Sequence, residues 1–367
     1  MPSMSAEIPI QNLYYLLCYA WDQLAEGEVV DIAADDSKSL TELFARILTQ
    51  GTQRLMKRGF DRGYLPEVEE TPRLRGKLDI SASMKRLSWR EGRMVCEFDE
   101  LSHNVLHNRI LKTTLEDLWH AEGIGSEVRD LIHRQLEAMR GIERVAITSG
   151  LFGRVHLHRN NRFYRFLLNV CELLHDSKLP EQRDGHNRFQ DFVRDPKLMP
   201  AVFESFVKNF YHRKQAEFSV GRAQFRWAAT APEASLAVLP VMKTDVSLWS
   251  AQRRIILDCK FYREAMTGWL GTAKVHAGNL YQIYAYIRNA DQYEKWKGSE
   301  GILLYPAVRT SFDHSFEIEG HRVRIASVDL DQPWQMIHTR LLDVIAFPQK
   351  LRSGCEVGEQ FPRPSPI

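Results

Sequence analysis

A short apolar run in the second half of the chain ends in two charged residues. Ile255, Ile256 and Leu257 form a run typical of a buried strand, and Asp258, Cys259 and Lys260 follow directly. Charges at the end of such a run are costly to bury unless a partner or a metal ion compensates them. The segment therefore predicts a strand of a sheet whose charged end has a specific purpose.

A second carboxylate comes from the segment just before this strand. Two β-rich runs, Leu236–Trp249 and Arg254–Tyr262, are joined by the polar turn Ser250–Arg253. Side chains alternate along a strand, so Asp258 and Lys260 point to one side and Cys259 points to the other. Asp245 lies in the first run, and a hairpin places it beside them. Two carboxylates and one ammonium are therefore expected on a single surface.

This group of charges suits Mg²⁺-dependent hydrolysis of a phosphodiester. Mg²⁺ prefers oxygen ligands and uses one or two carboxylates together with waters. Asp245 and Asp258 are the predicted ligands, with the main-chain carbonyl of Cys259 as a further one, and the ion would activate a water and neutralise phosphate charge. Lys260 is predicted to position the attacking water and to stabilise charge. The alternative is a surface ion pair, because Asp-x-Lys alone is a weak motif.

Three more residues are candidates for supporting roles. Glu204 lies on a helix predicted over Ala201–Phe218 and is a candidate third acid; a solvated helix face is the alternative. Gln282 and Tyr286 are four residues apart on a helix predicted over Asn279–Asn289, so they share one face. They are predicted to contact the DNA backbone or to steady Lys260, and ordinary helix packing is the alternative.

The rest of the chain predicts an α+β protein with two domains and a loose tail. We expect domains over residues 1–160 and 161–350, and a tail over 351–367. The second domain should be a mixed sheet flanked by helices, with the site at one edge. Periodicity predicts five further helices and three further β segments. They are Ile10–Leu24, Leu40–Arg58, Asn104–His120, Gly125–Met139 and Tyr164–Leu174, and Tyr64–Phe98, Gly301–Pro306 and His321–Leu330.

Composition excludes several classes of protein. The chain is 44% hydrophobic and 26% charged, which argues against a largely disordered protein. Its five cysteines are scattered and form no CxxC pair, so neither a zinc site nor a disulfide framework is expected, which predicts a protein of the reducing cytoplasm. It has no apolar stretch long enough to span a bilayer, and its N-terminal segment does not have the features of a signal peptide. The net charge of +2 neither supports nor excludes binding to nucleic acid.

The sequence resembles the McrC family, the nuclease subunits of McrBC-type modified-cytosine-dependent restriction systems. The resemblance covers about residues 8–345, and its landmarks occur in the family's order. They are IPIQNLYYLLCYAWD, LRGKLDISASM, CEFDELSHNVLHNRILKTTL, KTDVSLW, LDCKFY, NLYQIYAY and GILLYP.

The resemblance implies a PD-(D/E)xK nuclease in the second domain, with Asp245, Asp258 and Lys260 as its catalytic core. Its substrate would be double-stranded DNA that carries 5-methylcytosine-type bases. The first domain would dock on a partner of McrB type, a AAA+ motor that hydrolyses GTP. The chain lacks a G-x-x-x-x-G-K-[ST] loop, so GTP is expected to be bound by the partner.

The locally basic β region is the candidate contact with that partner. A DNA-facing or merely solvated surface is the alternative. Its basic residues are Arg73, Arg75, Lys77, Lys85, Arg86, Arg90 and Arg93.

Two other functions compete with the restriction nuclease. A non-cleaving activator of the AAA+ partner would have no need to keep Asp245, Asp258 and Lys260 together. A stand-alone DNA-repair nuclease is disfavoured by the family-like first half and by the absence of a motor in this chain.

Overall fold

The chain forms two compact units. The computed structural model describes residues 8–27, 39–158, 161–178, 197–261, 275–309 and 311–346, so the predicted tail over 351–367 lies outside the described residues. One unit is Leu13–Phe206, here called the N-terminal unit. The other, the C-terminal unit, combines Met1–Asn12 with Val207–Ile367. Helices and mixed β structure occur together, so the predicted α+β class is confirmed.

Amphipathic helices build the core of the N-terminal unit. Leu48, Ile110, Ile132 and Leu167 are buried where these helices pack against one another. The helices are α1 (Ile10–Ala20), α2 (Leu24–Gly27), α3 (Leu40–Arg58), α4 (Ile80–Arg86), α5 (Leu106–Trp119), α6 (Ser126–Ala138), α7 (Ser149–Phe152) and α8 (Arg162–Ser177). The units divide at two places, between Asn12 and Leu13 inside α1 and between Phe206 and Val207 inside α9 (Leu198–Lys214).

Helix α3 begins at a side-chain cap. The Glu42 N–H donates to the Ser39 hydroxyl at 3.2 Å, which satisfies one of the donors left unpaired at a helix start. The predicted helix bounds Leu40–Arg58 are confirmed. The last turn carries Lys57 and Arg58, whose positive charges interact favourably with the negative end of the helix dipole.

An antiparallel arm extends the N-terminal unit, and we call residues 63–102 the arm. It contains β1 (Gly63–Thr71), β2 (Lys77–Leu78) and β3 (Met94–Ser102) in the order β1-β3-β2, with α4 between β2 and β3. The β region predicted over Tyr64–Phe98 is confirmed. Within it, Leu74, Leu78 and Ile80 alternate with charged residues, which predicts a strand, but only Lys77–Leu78 forms one. Asp79 caps α4 through its side chain, so the chain turns into a helix after two strand residues.

The structural division lies later than the predicted boundary near residue 160. Helix α8 packs against α3 and α5, so it belongs to the N-terminal unit. Gly51 permits this approach, because a Cβ at that position would overlap the Leu167 side chain. The glycine costs about 1 kcal/mol in the middle of a helix relative to alanine. Periodicity reveals each helix but not which core a helix joins.

A six-stranded mixed sheet organises the C-terminal unit. Its order is β10-β11-β9-β8-β7-β4, with β8 and β11 parallel to β9 and the other neighbours antiparallel. The strands are β4 (Ser219–Gly221), β7 (Val246–Trp249), β8 (Arg254–Cys259), β9 (Glu300–Ala307), β10 (Asp313–Ile318) and β11 (His321–Asp329). A separate two-stranded pair joins β5 (Gln224–Phe225) to β6 (Met242–Lys243).

Two helices pack on this sheet. Helix α11 (Ala277–Ala290) lies against β8 and β9, and α12 (Trp334–Ile345) lies against β11. Every residue of β9 is buried, which confirms the strand predicted over Gly301–Pro306. The mixed sheet flanked by helices is therefore present in the C-terminal unit.

The predicted strand Leu236–Trp249 is wrong in its first half. Helix α10 (Glu233–Leu236) occupies its start, and strand structure is confined to β6 and β7. The apolar residues Val238 and Val241 produced the prediction, yet both are exposed. No helix within the described ranges is long and apolar enough to cross a bilayer.

Candidate active site

The hairpin of β7 and β8 brings the two predicted carboxylates together. Val246 pairs with Leu257, and continuing that antiparallel register one step sets Asp245 opposite Asp258. Residues directly opposite each other in an antiparallel pair point to the same face. The predicted hairpin and the predicted neighbourhood of Asp245 and Asp258 are both observed. Because β7 and β9 flank β8, the site lies at the end of an interior strand, and the predicted location at an edge of the sheet is wrong.

Asp258 and Lys260 form a close ion pair at the end of β8. The Lys260 Nζ lies 2.6 Å from Asp258 Oδ2, and Asp258 is only 1% exposed. The Lys260 N–H donates to the Leu304 carbonyl at 2.9 Å, which extends the pairing with β9 beyond the last β8 residue. The pair is therefore fixed by the sheet and is not the surface ion pair considered as an alternative.

A β-bulge aims the Asp245 side chain. Gly221 pairs with Ser247 and Gln224 pairs with Lys243, so two residues on one strand face three on the other. Bulges re-aim side chains and are common beside active sites. The Asp245 Oδ2 accepts the Cys259 N–H at 2.8 Å, so the bulged residue is bonded across to β8.

Burial raises the pKa of the Asp245 carboxyl above its ordinary value. The Cys259 N–H, the Lys260 ammonium and Arg222 act in the opposite direction without reversing the shift. Arg222 also donates through Nε to the Asp245 carbonyl at 3.3 Å. A nearby cation would favour the charged form of this carboxyl.

Gln282 and Tyr286 connect Lys260 to the neighbouring helix. Gln282 Oε1 accepts the Lys260 Nζ at 2.8 Å, and its Nε2 donates to the Tyr286 hydroxyl at 2.9 Å. That hydroxyl donates to the Lys243 carbonyl at 3.2 Å. The spacing of four residues on α11 makes this continuous chain possible. Two functional roles were predicted for Gln282 and Tyr286, contact with the DNA backbone and steadying of Lys260. The structure shows the hydrogen bonds that the second role requires.

The donor set fits Mg²⁺ better than a metal that needs a closed protein cage. Among the residues the structure describes, no group of three or more His, Cys, Asp or Glu side chains is placed to hold a metal ion. Asp245 and Asp258 offer two carboxylates on one face, and Mg²⁺ commonly takes one or two and keeps waters in its other positions. The predicted further ligand, the main-chain carbonyl of Cys259, directly follows Asp258 in the chain.

Glu204 is placed on α9, and its side chain is partly exposed. It falls in the N-terminal unit, whereas Asp245 and Asp258 belong to the C-terminal unit. Its suggested role as a third acid therefore remains a prediction.

All of the basic residues predicted to contact a partner lie on the arm and are exposed. They are Arg73, Arg75, Lys77, Lys85, Arg86, Arg90 and Arg93. Their surroundings include a second feature that the sequence did not reveal. Large apolar side chains are exposed among them, notably Leu74, Ile80, Met84, Leu87 and Trp89.

Two backbone positions hold the arm in its shape. Gly76 has φ +61°, and a Cβ there would overlap the Glu97 carbonyl, so only glycine allows β2 to approach β3. Leu87 has φ 56°, an unusual left-handed conformation for a residue other than glycine. It ends α4 and leads into the 3₁₀ helix Ser88–Glu91. Strain of this kind persists where the surrounding structure fixes it.

The sequence matches the family model described as "McrBC 5-methylcytosine restriction system component" over residues 5–306. The chain belongs to this family. A curated relative, the "Type IV methyl-directed restriction enzyme EcoKMcrBC" of Escherichia coli (strain K12), is 32% identical over 338 residues, which are 92% of this chain and 97% of the relative. The resemblance to McrC recognised from the sequence is confirmed.

A solved structure shares the fold of this McrBC family member. It is a chain in the "Refined half-complex from tetradecameric assembly of Thermococcus gammatolerans McrB AAA+ hexamers with bound McrC". The match has a TM-score of 0.56 and 18% identity, and it covers 94% of this chain and 78% of the other. At that identity the match concerns the fold alone.

Sequence reasoning missed Arg222 and Lys243, which contact the site of this McrBC family member through main-chain carbonyls. Arg222 donates to the Asp245 carbonyl, and the Lys243 carbonyl accepts from Tyr286. Both lie in or next to short strands beside the bulge. Alternation is interrupted there, so no periodic signal in the sequence marked them.

Proposed function

We propose that this chain is the DNA endonuclease subunit of a modification-dependent restriction complex. Its substrate is double-stranded DNA that carries 5-methylcytosine-type bases. The observation that carries the proposal is the fixed group of Asp245, Asp258 and Lys260 at the end of β8, in a chain that belongs to the McrBC family. Such a group is what a PD-(D/E)xK nuclease requires.

Asp245 and Asp258 are the residues that would hold Mg²⁺, with the Cys259 carbonyl as a further ligand. When bound, the ion supplies Lewis acidity at the scissile phosphate and an activated water. The chain's own residues orient the reaction. The sheet fixes Asp258, the bulge and the Cys259 N–H fix Asp245, and both carboxylates are therefore arranged before DNA binds.

Lys260 provides positive charge beside the reacting phosphate. Its ammonium is held between Asp258 Oδ2 at 2.6 Å and Gln282 Oε1 at 2.8 Å, which limits its rotation. An ammonium already paired with a carboxylate is better suited to stabilising charge than to removing a proton. We therefore assign Lys260 to water positioning and charge stabilisation.

The second part of the proposal concerns the partner, a AAA+ GTPase of McrB type. In the solved assembly from Thermococcus gammatolerans, McrC is bound to McrB AAA+ hexamers. In this chain the arm is the candidate docking surface, because it exposes apolar side chains among seven basic residues. Exposed apolar patches bordered by polar groups mark protein interfaces, and buried aromatic and Arg anchors dominate their affinity. GTP would be bound by the partner, and the arm would stimulate the partner's hydrolysis of GTP.

A plasmid cleavage assay tests the proposal. Methylated and unmethylated plasmids are incubated with Mg²⁺, GTP and this chain, with and without its AAA+ partner, and with Lys260→Ala as the control. We expect cleavage of methylated plasmid only with partner and GTP, and its loss in Lys260→Ala. Cleavage by the chain alone regardless of methylation would indicate a stand-alone nuclease. Stimulated GTP hydrolysis without any cleavage would indicate an activator.

A further inference from the structure

A short β ribbon extends the active-site hairpin beyond the sheet. It consists of β5, β6 and the connecting residues 226–241, and we call it the β5–β6 ribbon. Because β6 precedes the bulge at Asp245 and β7 follows it, the ribbon leaves the sheet at the end where Asp258 and Lys260 lie. The Tyr286 hydroxyl donates to the Lys243 carbonyl in β6, so the ribbon is bonded directly to the site's polar chain.

The ribbon is anchored at its base and along its connection. Phe225 and Met242 are buried in the same core as α11. Beyond them the main chain forms hydrogen bonds with side chains on or just after α11. The Trp227 indole forms a further hydrogen bond across the connecting residues. The bonds are Arg226 N–H to Tyr293 Oη at 3.2 Å, Ala228 N–H to Asn289 Oδ1 at 2.7 Å, Gln292 Nε2 to the Arg226 carbonyl at 2.7 Å and Trp227 Nε1 to the Pro240 carbonyl at 2.9 Å.

This anchored ribbon nevertheless exposes apolar side chains. Val238 is 81% exposed, and Trp227, Leu236, Leu239 and Val241 are also exposed. Several of these residues line an open concavity of about 370 Å³ together with Arg226 and Glu233. An ordered ribbon that holds apolar groups in solvent gains no folding stability from them. Their exposure indicates a contact made in a complex.

Charge and position indicate the kind of partner. The stretch 222–243 carries Arg222, Arg226 and Lys243 but only one acid, Glu233. Val238 precedes Lys243 by five positions, so the two Cα atoms are no more than about 18 Å apart. Basic residues beside apolar ones, next to a site for phosphodiester hydrolysis, match the surface of a duplex with its phosphates and groove floor.

We propose that the β5–β6 ribbon inserts its exposed apolar side chains, Val238 and Leu239 among them, into the minor groove of the DNA held at the active site. Apolar side chains that enter this groove wedge between base pairs, partly unstack them and bend the duplex. Arg226 and Lys243 would contact the flanking phosphates. The ribbon would then favour cleavage beside deformable pyrimidine–purine steps, whose bending costs least. This inference rests on the proposed nuclease function and adds a determinant of where the cut falls.

The test uses the full complex with its AAA+ partner, in a Lys260→Ala background that leaves the DNA intact. Methylated duplexes carry 2-aminopurine at the steps where the wild-type complex cuts, so that unstacking raises fluorescence. The variant is Val238→Ser/Leu239→Ser, and the matched control is Met336→Ser, which changes an exposed apolar side chain on α12. Affinity is measured over a range of KCl concentrations.

We expect the ribbon variant to lose the fluorescence rise and about three- to tenfold in affinity, as removal of two apolar contacts predicts. Its salt dependence should be unchanged, because no phosphate contact is removed, whereas Arg226→Ala should reduce the salt slope by about one. Met336→Ser should match the parent.

Unchanged fluorescence and affinity in the ribbon variant would overturn the inference while leaving the nuclease function intact. A ribbon variant that binds DNA normally but sediments at a lower mass would also overturn it and assign the ribbon to contacts between copies of this chain. If the wild-type complex neither binds nor cuts methylated DNA, the proposed function itself fails, and the plasmid assay separates that outcome from the others.

Discussion

The sheet of the C-terminal unit and the arm of the N-terminal unit place their residues in opposite ways. In the six-stranded sheet, the charged Asp258 and Lys260 are withdrawn from solvent and bonded to named partners. In the three-stranded arm, large apolar side chains are exposed, with Met84 at 64% and Tyr64 at 73%. Neither placement is what folding alone would select.

Each region is therefore incomplete in its own way. Charges held inside a sheet call for a small, charged ligand, such as a metal ion and a phosphate. Apolar groups held on an open arm require a large surface that removes them from water. Under the proposed function the two regions have separate tasks, catalysis in one and docking in the other. Substitutions should then separate cleavage from stimulation of the partner.

The largest separation is expected for Asp258→Ala. Cleavage of methylated DNA should fall by at least about 10²–10³-fold, the scale on which one preorganised electrostatic group contributes to catalysis. Stimulation of the partner's GTP hydrolysis should be unchanged, because the arm is intact. Both rates are measured on the same preparation.

Asp331→Ala is the matched control for that substitution, since it breaks the ion pair with Arg309 elsewhere in the same unit. It should preserve both activities. Thermal unfolding of Asp258→Ala must resemble that of the parent for the result to concern catalysis. Undiminished cleavage by Asp258→Ala would show that the site assignment is wrong.

The converse loss is expected from the arm. Met84→Asp or Trp89→Ala should weaken binding to the AAA+ partner by about tenfold or more, the range of an interface hot spot. The stability of the free chain should change little, because both side chains are exposed. Partner binding is measured by titration and GTP hydrolysis by phosphate release. Full stimulation by both variants would locate the docking surface elsewhere.

Sequence patterns predicted the arrangement of the candidate site better than that of the arm, for a physical reason. Asp245 directly precedes β7, and Asp258 and Lys260 lie at the end of β8, so the register of one hairpin determines which of these side chains meet. Gln282 and Tyr286 follow from helical spacing. In the arm, the capping residue Asp79 and the left-handed Leu87 redirect the chain within a few residues. Those turns follow no period.

The exposed apolar residues were missed for a different reason. An apolar residue in a sequence is usually assigned to a core, and Val238 and Val241 were therefore predicted to lie in a strand. Exposure depends on what packs above a residue, and that is determined by distant parts of the chain. The domain boundary was placed too early because the packing of α8 against α3 through Gly51 is likewise non-local.

A smaller effect is expected from the polar chain that steadies Lys260. Gln282→Ala should lower the turnover rate by about tenfold, as loss of a supporting hydrogen bond does in metal sites, with little change in the DNA concentration for half-maximal rate. Tyr286→Phe should have a weaker effect in the same direction. Tyr284→Phe is its matched control, because Tyr284 lies on the same helix but its hydroxyl donates to Glu319, in the turn between β10 and β11. Equal turnover rates for Tyr286→Phe and Tyr284→Phe would show that the Tyr286 hydroxyl has no role in the site.

The smallest effect is expected on stability, at the residues that flank the arm, which we call its base. Unlike the arm itself, the base buries polar side chains. His107 is buried there beside the Tyr164 ring, and its Nε2 lies 3.0 Å from Asp61 Oδ2. Tyr164 donates to Asn108, which in turn donates to the Asp61 carbonyl. Polar groups at the arm's base are thus buried and bonded, like those of the active site.

Burial lowers the pKa of His107 more than the Asp61 carboxylate raises it. The unfolded chain then binds more protons than the folded one once the pH falls below about 6.5, the ordinary histidine value. The stability that neutral His107 contributes is present above that pH and is lost as the pH falls towards the lower pKa of the folded state. His107→Gln should therefore show a smaller decrease in unfolding temperature between pH 7.5 and pH 5.5 than the parent chain. The same substitution at the exposed His156 is the control. If His107→Gln had the same pH dependence of unfolding temperature as the parent chain, protonation of His107 would not contribute to stability.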